Sequence, residues 1–420
     1  MFANFYFISK NSDMRLPLLI ITATFLTACG GGGSSTTTAP TTPPPAPPPV
    51  TYSVGGSISG LETSGLALTN GEDTIRPAVG DTRFSFAQKL NNGAAYAVKI
   101  SAQPVLGFQA CSLSGTASGA IAGANVTDVT ANCGSTMARV STLATNSFTN
   151  ALGVAIDAAG SIYVAEYRSV RKISGGVETR LSDDARFGLL IGIAVDKDGN
   201  VFVADHSNRS IHKITPDGAV TTVATNLYSL AGIAVDKSGN LFVAGYATNQ
   251  IAKITPAGVL SVLAGDSTLG TADGQGQAAT FSNPFGICID AADNLYVTDA
   301  VSDRIRKVTP DGLVTTIAGS GNVGGKADGP AASASFDQPL GIAIDKAGYL
   351  YVADARNNLV RKISPGGMVT TLAGSVSGSA DGIGGTASFS MARGIAADNR
   401  GNLIMVDADL LRQLTPQVGP

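Results

Sequence analysis

Acidic residues recur at one position of a repeated phrase in this 420-residue chain, directly after a hydrophobic stretch. These positions, with the neighbouring residues that could also touch a ligand, are Glu166, Tyr167, Asp205, His206, Tyr246, Asp299, Asp354 and Asp407. One copy of the phrase has Gly245 in place of the acid. A ring of carboxylates can collect a cation, and convergent oxygen ligands suit calcium. The alternative is that each acid caps the backbone of its own loop, so the metal stays unknown and calcium stays possible.

Other catalytic chemistry has little support in the sequence. The chain has only two histidines, His206 and His212, which is too few for a three-histidine zinc site. His212 stands where other copies have Arg171, Arg306 and Arg361, which predicts a solvated strand residue. Residues 319–324 fit a dinucleotide-binding glycine pattern, but the residues that follow continue as a loop and supply no helix N-terminus. No catalytic residue is assigned.

The repeated phrase itself predicts the architecture. It reads approximately Gly-Ile-Ala-Val-Asp-x-x-Gly-Asn-Leu-Tyr-Val-Ala-Asp, and each unit contains four short strand patterns separated by Asp-Gly and Pro-Asp-Gly turns. Its six copies begin at Gly153, Gly192, Gly232, Gly286, Gly341 and Gly394. Units of this size cannot bury a core alone, and four strands per unit describe a propeller blade. The prediction is an all-β, six-bladed propeller over residues 137–416.

These phrases, including Asp205-x-x-Asn208-x-x-Ile211 and Asp354-x-x-Asn357-x-x-Val360, resemble the NHL-repeat family of β-propellers. The resemblance implies the fold and leaves the function open, because one fold hosts many activities. Propellers that this chain resembles include lyases and lactonases that hold a metal at the central channel. A site of that kind would have to use some of Glu166, Asp205, Asp299, Asp354, Asp407 and His206.

Ring closure can be predicted from a strand that has no blade of its own. The sixth unit ends at Pro416 without a fourth strand, whereas residues 138–144 match the fourth-strand phrases at 313–318 and 368–373. We therefore expect this N-terminal strand to complete the last blade. Closure removes the unpaired edges of an open sheet.

Three insertions distinguish the later units, namely residues 266–283, 320–337 and 375–390. Each contains Ala-Asp-Gly and a later Phe: Asp273 with Phe281, Asp328 with Phe336, and Asp381 with Phe389. In a propeller these loops share one face with the connections between strands two and three, and loops on a rigid scaffold commonly bind ligands. The alternative is that each insertion packs its Phe back onto its own blade.

The residues before the propeller predict a module and a tether. Residues 51–134 alternate as strands of a small β-sandwich, which resembles the immunoglobulin-like or prealbumin-like modules of bacterial surface lipoproteins. A stalk or spacer is the simpler role for it, and carbohydrate binding is the alternative. Residues 29–50 combine a lipid anchor with a linker rich in Gly, Ser, Thr and Pro.

Residues 1–28 resemble a bacterial lipoprotein signal peptide, with Met14 as a possible true start and Cys29 as the lipidated residue. The expected location is the cell envelope, at the outer membrane rather than the inner membrane. Cys111 and Cys133 share one small module in an oxidising compartment, which predicts a disulfide bond. Cys288 occupies a slot that other copies fill with Ala and is predicted to be a small buried residue.

Composition narrows the partners. Charged residues make up 14 % of the chain, the net charge is −3, and there are 51 Gly and no Trp, so no excess of base is available to grip nucleic acid. The sequence therefore favours a monomeric, non-enzymatic scaffold that presents its inserted loops to a protein or glycan. It would touch the membrane only through the Cys29 lipid. The alternative is the metal-dependent lyase or lactonase.

Overall fold

The computed structural model of this chain describes residues 47–144, 148–321 and 324–417. The signal peptide and Cys29 therefore lie outside the described residues. The chain divides into a segment up to Pro49, whose described residues form no regular structure, and one compact unit from Val50 onward. Among the described residues, no helix has the length and hydrophobicity that a membrane crossing requires.

The compact unit contains six antiparallel sheets arranged as the blades of a propeller, three of them with four strands and three with five. Within each blade the first strand lies next to the axis, and the first strands of successive blades contact one another around the ring. Blades 1 to 3 consist of strands Gly153–Ile156, Ile162–Glu166, Ser169–Ser174 and Val177–Ser182; Leu190–Val195, Val201–Asp205, Ser210–Ile214 and Val220–Ala224; and Leu230–Val235, Leu241–Gly245, Gln250–Ile254 and Leu260–Ala264. This arrangement confirms the predicted all-β propeller with four strands per repeat.

Blades 4 to 6 each carry a fifth, two-residue strand from the insertion that precedes them. Blades 4 and 5 consist of Gly274–Gln275, Pro284–Ile289, Leu295–Asp299, Arg304–Val308 and Leu313–Ala318; and of Gly329–Pro330, Pro339–Ile344, Leu350–Asp354, Leu359–Ile363 and Met368–Gly374. Blade 6 consists of Gly382–Ile383, Ala392–Ala397, Leu403–Asp407, Leu410–Pro416 and the N-terminal strand Ala138–Ala144. Short 3-10 helices occur at Gly276–Ala278, Ala355–Asn357 and Gly384–Thr386.

The ring closes as predicted from the sequence. Ala138–Ala144 runs antiparallel to Leu410–Pro416, with Val140 opposite Leu414, and so supplies the fourth strand that blade 6 lacks. Val140 is buried in the hydrophobic cluster shared by blades 5 and 6. The last blade is therefore built from both ends of the propeller sequence.

The glycine that begins each repeat permits the close packing of neighbouring blades at the axis. A Cβ atom at Gly341 would lie 2.0 Å from the carbonyl oxygen of Arg393, and one at Gly192 would lie 2.3 Å from that of Ala231. No side chain larger than hydrogen fits at these positions. The recurrence of glycine in the phrase thus follows from the contact between first strands.

Residues before the propeller form the predicted small sandwich. Two four-stranded sheets enclose one hydrophobic core that includes Val54, Leu68, Val98 and Val129, and Thr51–Tyr52 pairs separately with Leu90–Asn91. The strands are Thr51–Tyr52, Val54–Ser59, Ala67–Asn70, Asp73–Ile75, Arg83–Ser85, Leu90–Asn91, Ala95–Ala102, Gln109–Ser114, Ser118–Ala120 and Val126–Ser135. The Cys111–Cys133 disulfide joins two paired strands of one sheet and confirms the predicted link.

The sandwich is docked on blades 5 and 6 through the loop that carries Phe108. Phe108 is fully buried in the cluster of those blades, with its ring 5.7 Å from that of Tyr351. The Tyr349 hydroxyl donates a hydrogen bond to Glu62 (2.6 Å), and the Lys362 ammonium donates to the Gly107 carbonyl (2.8 Å). Tyr349 belongs to the connection between strands one and two of blade 5, so the sandwich covers part of that face of the propeller.

Burial at this interface predicts a pH dependence of stability. Burial lowers the pKa of Lys362 to about 8, although Glu62 and Asp345 nearby oppose this shift. An unfolded lysine titrates near pH 10.4, so between pH 8 and 10 the unfolded state binds more protons than the folded state. Raising the pH through this range is therefore expected to stabilise the fold.

The measurement is denaturant unfolding from pH 7 to 9.5, comparing the wild type with Lys362→Met. The wild type should gain stability with rising pH relative to the variant. Parallel pH profiles would show that Lys362 is not buried at a docked interface.

Candidate functional site

The recurring acids lie at the ends of the second strands and are buried. Asp354 is typical: one of its carboxylate oxygens accepts a hydrogen bond from the Asp337 backbone N–H (2.8 Å). The other oxygen accepts from Arg361 and from the Asn357 side chain, both at 2.9 Å. Both oxygens of this carboxylate are thus hydrogen-bonded by residues of its own blade and of the preceding insertion.

In blades 4 to 6 a buried arginine joins this acid to the Asp of the preceding insertion. Arg361 donates from one terminal nitrogen to Asp354 and from the other to Asp328 (2.7 Å), and its guanidinium lies 5.1 Å from the centre of the Phe336 ring. Blades 4 and 6 repeat the arrangement with Arg306 between Asp299 and Asp273 over Phe281, and with Arg412 between Asp407 and Asp381 over Phe389. We call each of these three sets an Asp–Arg–Asp cluster.

The insertion Asp residues also bind the fourth strand. Asp273 accepts hydrogen bonds from the backbone N–H and the hydroxyl of Thr316, both at 2.9 Å. Burial alone would raise its pKa, but these bonds and Arg306 hold the pKa of Asp273 below its usual range. The insertions therefore pack back onto their own blades, which is the alternative that the sequence left open for their Asp and Phe residues.

Blades 1 and 2 use variants of the same arrangement. Glu166 pairs with Arg171, whose guanidinium lies over Phe148. In blade 2 the ring of His212 lies 3.7 Å from Asp205 and 5.3 Å from the ring centre of Phe187. His212 is buried, so the expectation of a solvated residue was wrong: the slot it shares with the arginines faces the inside of the blade.

The remaining predicted site residues lie at the connections between strands two and three. Tyr167 is exposed, and Tyr246 packs edge-on against Phe285 with ring centres 6.0 Å apart. The His206 ring hydrogen-bonds to the Leu230 carbonyl (2.9 Å). These three side chains share one face of neighbouring blades 1 to 3, whereas each acid lies inside its own blade.

The axis of the propeller is lined by glycine backbone and aliphatic residues, together with Arg393. One cavity of about 60 Å³ is lined by the six repeat glycines and by Ile193, Ile233, Ile287, Ile342 and Ile395. A second, of about 210 Å³, is lined by aliphatic side chains and by Cys288. Burial raises the pKa of the Cys288 thiol, so the cysteine stays protonated near neutral pH and unreactive.

A metal at the central channel does not fit the residues present. The candidate ligand acids are held inside separate blades by their own cations and backbone N–H groups, while the channel presents aliphatic residues, glycine backbone and the cationic Arg393. Within the described ranges no group of three or more His, Cys, Asp or Glu side chains is placed to hold a metal ion.

Sequence reasoning missed the arginines as the centres of these clusters. It noted Phe281, Phe336 and Phe389 in the insertions, but not that a phenylalanine lies five residues before the repeat glycine in five of the six copies, the other two being Phe148 and Phe187. Aligning the copies on that glycine would have revealed both features. The cation, the acid and the aromatic ring recur together because they form one packed unit.

Comparison with known proteins supports the repeat. Residues 336–363, which contain Phe336, Asp354 and Arg361, match the model described as NHL repeat. Over 95 residues the chain is 37 % identical to the Arabidopsis thaliana chloroplastic protein SUPPRESSOR OF QUENCHING 1 and 34 % identical to human NHL repeat-containing protein 2. Each match covers 22 % of this chain, but only 9 % and 13 % of those two proteins.

Solved structures share the fold over most of the chain. A Bacteroides thetaiotaomicron protein of unknown function has a TM-score of 0.58 at 17 % identity and covers 89 % of this chain and 99 % of its own. A Bacteroides ovatus protein described as an auxiliary nutrient binding protein has a TM-score of 0.56 at 16 % identity, covering 87 % and 98 %. A second protein with that description, from B. thetaiotaomicron, has a TM-score of 0.56 at 13 % identity, covering 85 % and 91 %. The chain thus has an NHL-type β-propeller-like structure.

Proposed function

We propose that this protein is a non-enzymatic binding scaffold of the bacterial envelope. It presents one face of the propeller to a protein or glycan. That face, called the insert-bearing face, consists of the connections between strands two and three and of those that lead from each fourth strand to the next blade. The observation that carries the proposal is that the sandwich docks on the other face, at blades 5 and 6. The insert-bearing face is therefore not used for this docking.

Exposed apolar side chains on the insert-bearing face support this assignment. Leu269 and Val376 lie on insertions, and Val301 lies on the neighbouring connection of blade 4, whose backbone N–H binds the Ser282 carbonyl. The Asp and Phe residues of each insertion pack against the blade and anchor the loop, while Leu269 and Val376 of the same insertions stay exposed. Apolar groups on a rigid, polar-rimmed surface are typical of interaction sites.

The proposed location rests on the sequence and the disulfide. Residues 1–28 would be the signal peptide, Cys29 the lipidated residue and residues 29–50 the tether to the outer membrane. The Cys111–Cys133 disulfide is consistent with an oxidising compartment. Two proteins of the same fold are described as auxiliary nutrient binding proteins, which agrees with a binding role.

The test is quantitative cross-linking and capture from the native envelope, together with a glycan array, using the full-length protein. Leu269→Ser, Val301→Ser and Val376→Ser, combined in one variant, should reduce capture at least tenfold. These residues are exposed, so the packed clusters beneath them remain intact.

The matched control is Val177→Ser, Leu313→Ser and Met368→Ser, three exposed apolar residues at the opposite ends of the blades. Capture should be unchanged in this control. A ligand lost from the control and retained by the tip variant would move the binding surface to the other face and contradict the proposal.

A further inference from the structure

Blade 3 departs from the packing unit at every position at once. The acid is replaced by Gly245, the cation by Ala252 and the phenylalanine by Leu227. Ala252 pairs with Val262, whereas His212 of blade 2 pairs with Thr222, which binds its ring. Blade 3 therefore has smaller or apolar residues at the four positions that Phe187, Asp205, His212 and Thr222 fill in blade 2.

These replacements leave a pocket of about 170 Å³ in the flank of blade 3. Its lining includes Leu227, Gly245, Ala252 and Val262, so the space corresponds to the interior that a ring and a cation fill in the other blades. No insertion precedes blade 3, because the connection from blade 2 is the short segment 225–229. The pocket therefore opens to solvent beside Tyr228.

We propose that this pocket binds a small, neutral aromatic ring carrying one polar substituent, as in a phenol. In the sister blades the corresponding region holds a phenylalanine ring with a flat guanidinium over it, or with an imidazole tilted against it. Its volume is close to the roughly 150 Å³ of an apolar protein cavity that accepts benzene. A flat six-membered ring is thus the shape that the vacated space fits.

The residues that line the pocket favour a neutral ligand with one polar group. Among the described residues that line the pocket none is charged, and Arg209, which lies against the Tyr228 ring, is not part of the lining, so a charged ligand would find no counter-ion inside the pocket. Asn226, Thr248 and Gln250 supply polar groups for a single hydroxyl substituent. The exposed Tyr228 ring, held by the guanidinium of Arg209 at 4.6 Å, offers a face or edge to an aromatic ligand.

The experiment titrates the purified protein with 4-fluorophenol, observed by fluorine NMR. Saturable one-site binding with a Kd on the order of 1 mM or tighter is expected. 4-Fluorobenzoate and 4-fluorobenzylamine should bind at least tenfold more weakly. Cyclohexanol should compete poorly, and equal competition by it would overturn the aromatic class.

Two variants place the binding in this pocket. Leu227→Phe, Gly245→Asp, Thr248→Asn, Ala252→His and Val262→Thr, combined, write the residues of blade 2 into blade 3 and should abolish binding. Thr248 is included because its hydroxyl lies 2.0 Å from where a Cβ at Gly245 would stand. Ala252→Leu alone fills the pocket with a single small change and should weaken binding at least tenfold.

Val177→Ser on blade 1 is the control, because Val177 is 64 % exposed and does not line the pocket, and it should bind as the wild type does. Binding that survives both filling variants, or no saturable binding to the wild type, would overturn the proposal. The exposed residues Leu269, Val301 and Val376 of the insert-bearing face do not line this pocket. A failure of the pocket proposal would therefore leave the proposed function untouched.

Discussion

Replacing Arg361 with alanine is expected to lower the free energy of unfolding by about 3–5 kcal/mol. The guanidinium of Arg361 is 0 % exposed and joins Asp354, also 0 % exposed, to Asp328 of the insertion. Removing it leaves a buried carboxylate without its counter-ion and removes the group that ties the insertion to the blade. The measurement is denaturant unfolding followed by far-ultraviolet circular dichroism, with midpoint and slope both fitted.

Arg356→Ala is the matched control for this substitution. Arg356 lies in the same blade, but its side chain is 67 % exposed and 3.9 Å from Asp337. Its loss should change stability by less than about 0.5 kcal/mol. Equal effects of the two substitutions would show that the Asp–Arg–Asp cluster is open to solvent and would contradict the structure.

Blade 3 shows that a blade does not need an Asp–Arg–Asp cluster to fold. The expected loss of stability in Arg361→Ala therefore comes from removing one member of a buried cluster and leaving the others. Gly245, Ala252 and Leu227 stand where the other blades have an acid, a cation and a ring, yet the four strands of blade 3 keep the same register. A blade can therefore form with or without the buried ions. This agrees with the general finding that a buried ion pair is costly to break but replaceable as a whole.

The fold was predictable because the repeat states it six times. Strand, turn and glycine positions in each copy are local features, and four strands per unit permit few arrangements other than a propeller. The closing strand was predictable for a related reason, since residues 138–144 carry a fourth-strand phrase that no neighbouring unit could use. In the second copy the sequence pattern predicts the first and third strands at 192–196 and 211–215, and the structure has them at Leu190–Val195 and Ser210–Ile214, one or two residues away at each end.

The chemistry of the acids was less predictable because it depends on what lies across the blade. Asp354 and Asp328 are brought together only by Arg361, and a sequence pattern cannot show that one side chain donates to both. The docking of Phe108 against Tyr351 joins residues more than two hundred positions apart, for which the sequence gives no local signal. Phe108 was recognisable only as the one aromatic residue of its module outside a strand pattern.

Replacing Val140 with aspartate is expected to open the ring and to abolish cooperative folding of blade 6. Val140 is buried against the cluster that includes Leu414 and Phe389, and it belongs to the strand that closes the propeller. A carboxylate there would be buried without a partner, which costs several kcal/mol on a stability of about 5–15 kcal/mol. An opened blade would also expose a strand edge that recruits other chains.

The change should appear as protease cleavage between blades 6 and 1 and as concentration-dependent association in sedimentation. Arg139→Asp is the control: Arg139 is the exposed neighbour of Val140 on the same strand, so it introduces the same charge on the solvent side. It should leave the protease pattern and the sedimentation unchanged. If Val140→Asp behaved like this control, the N-terminal strand would not close the ring, and the last blade would have to be held by its own three strands.

Because Lys362 and Phe108 tie the sandwich to blades 5 and 6, the same Val140→Asp variant should also loosen the sandwich. The closing strand Ala138–Ala144 directly follows the sandwich strand Val126–Ser135. A change that displaces the closing strand is therefore expected to disturb the docking of the sandwich as well.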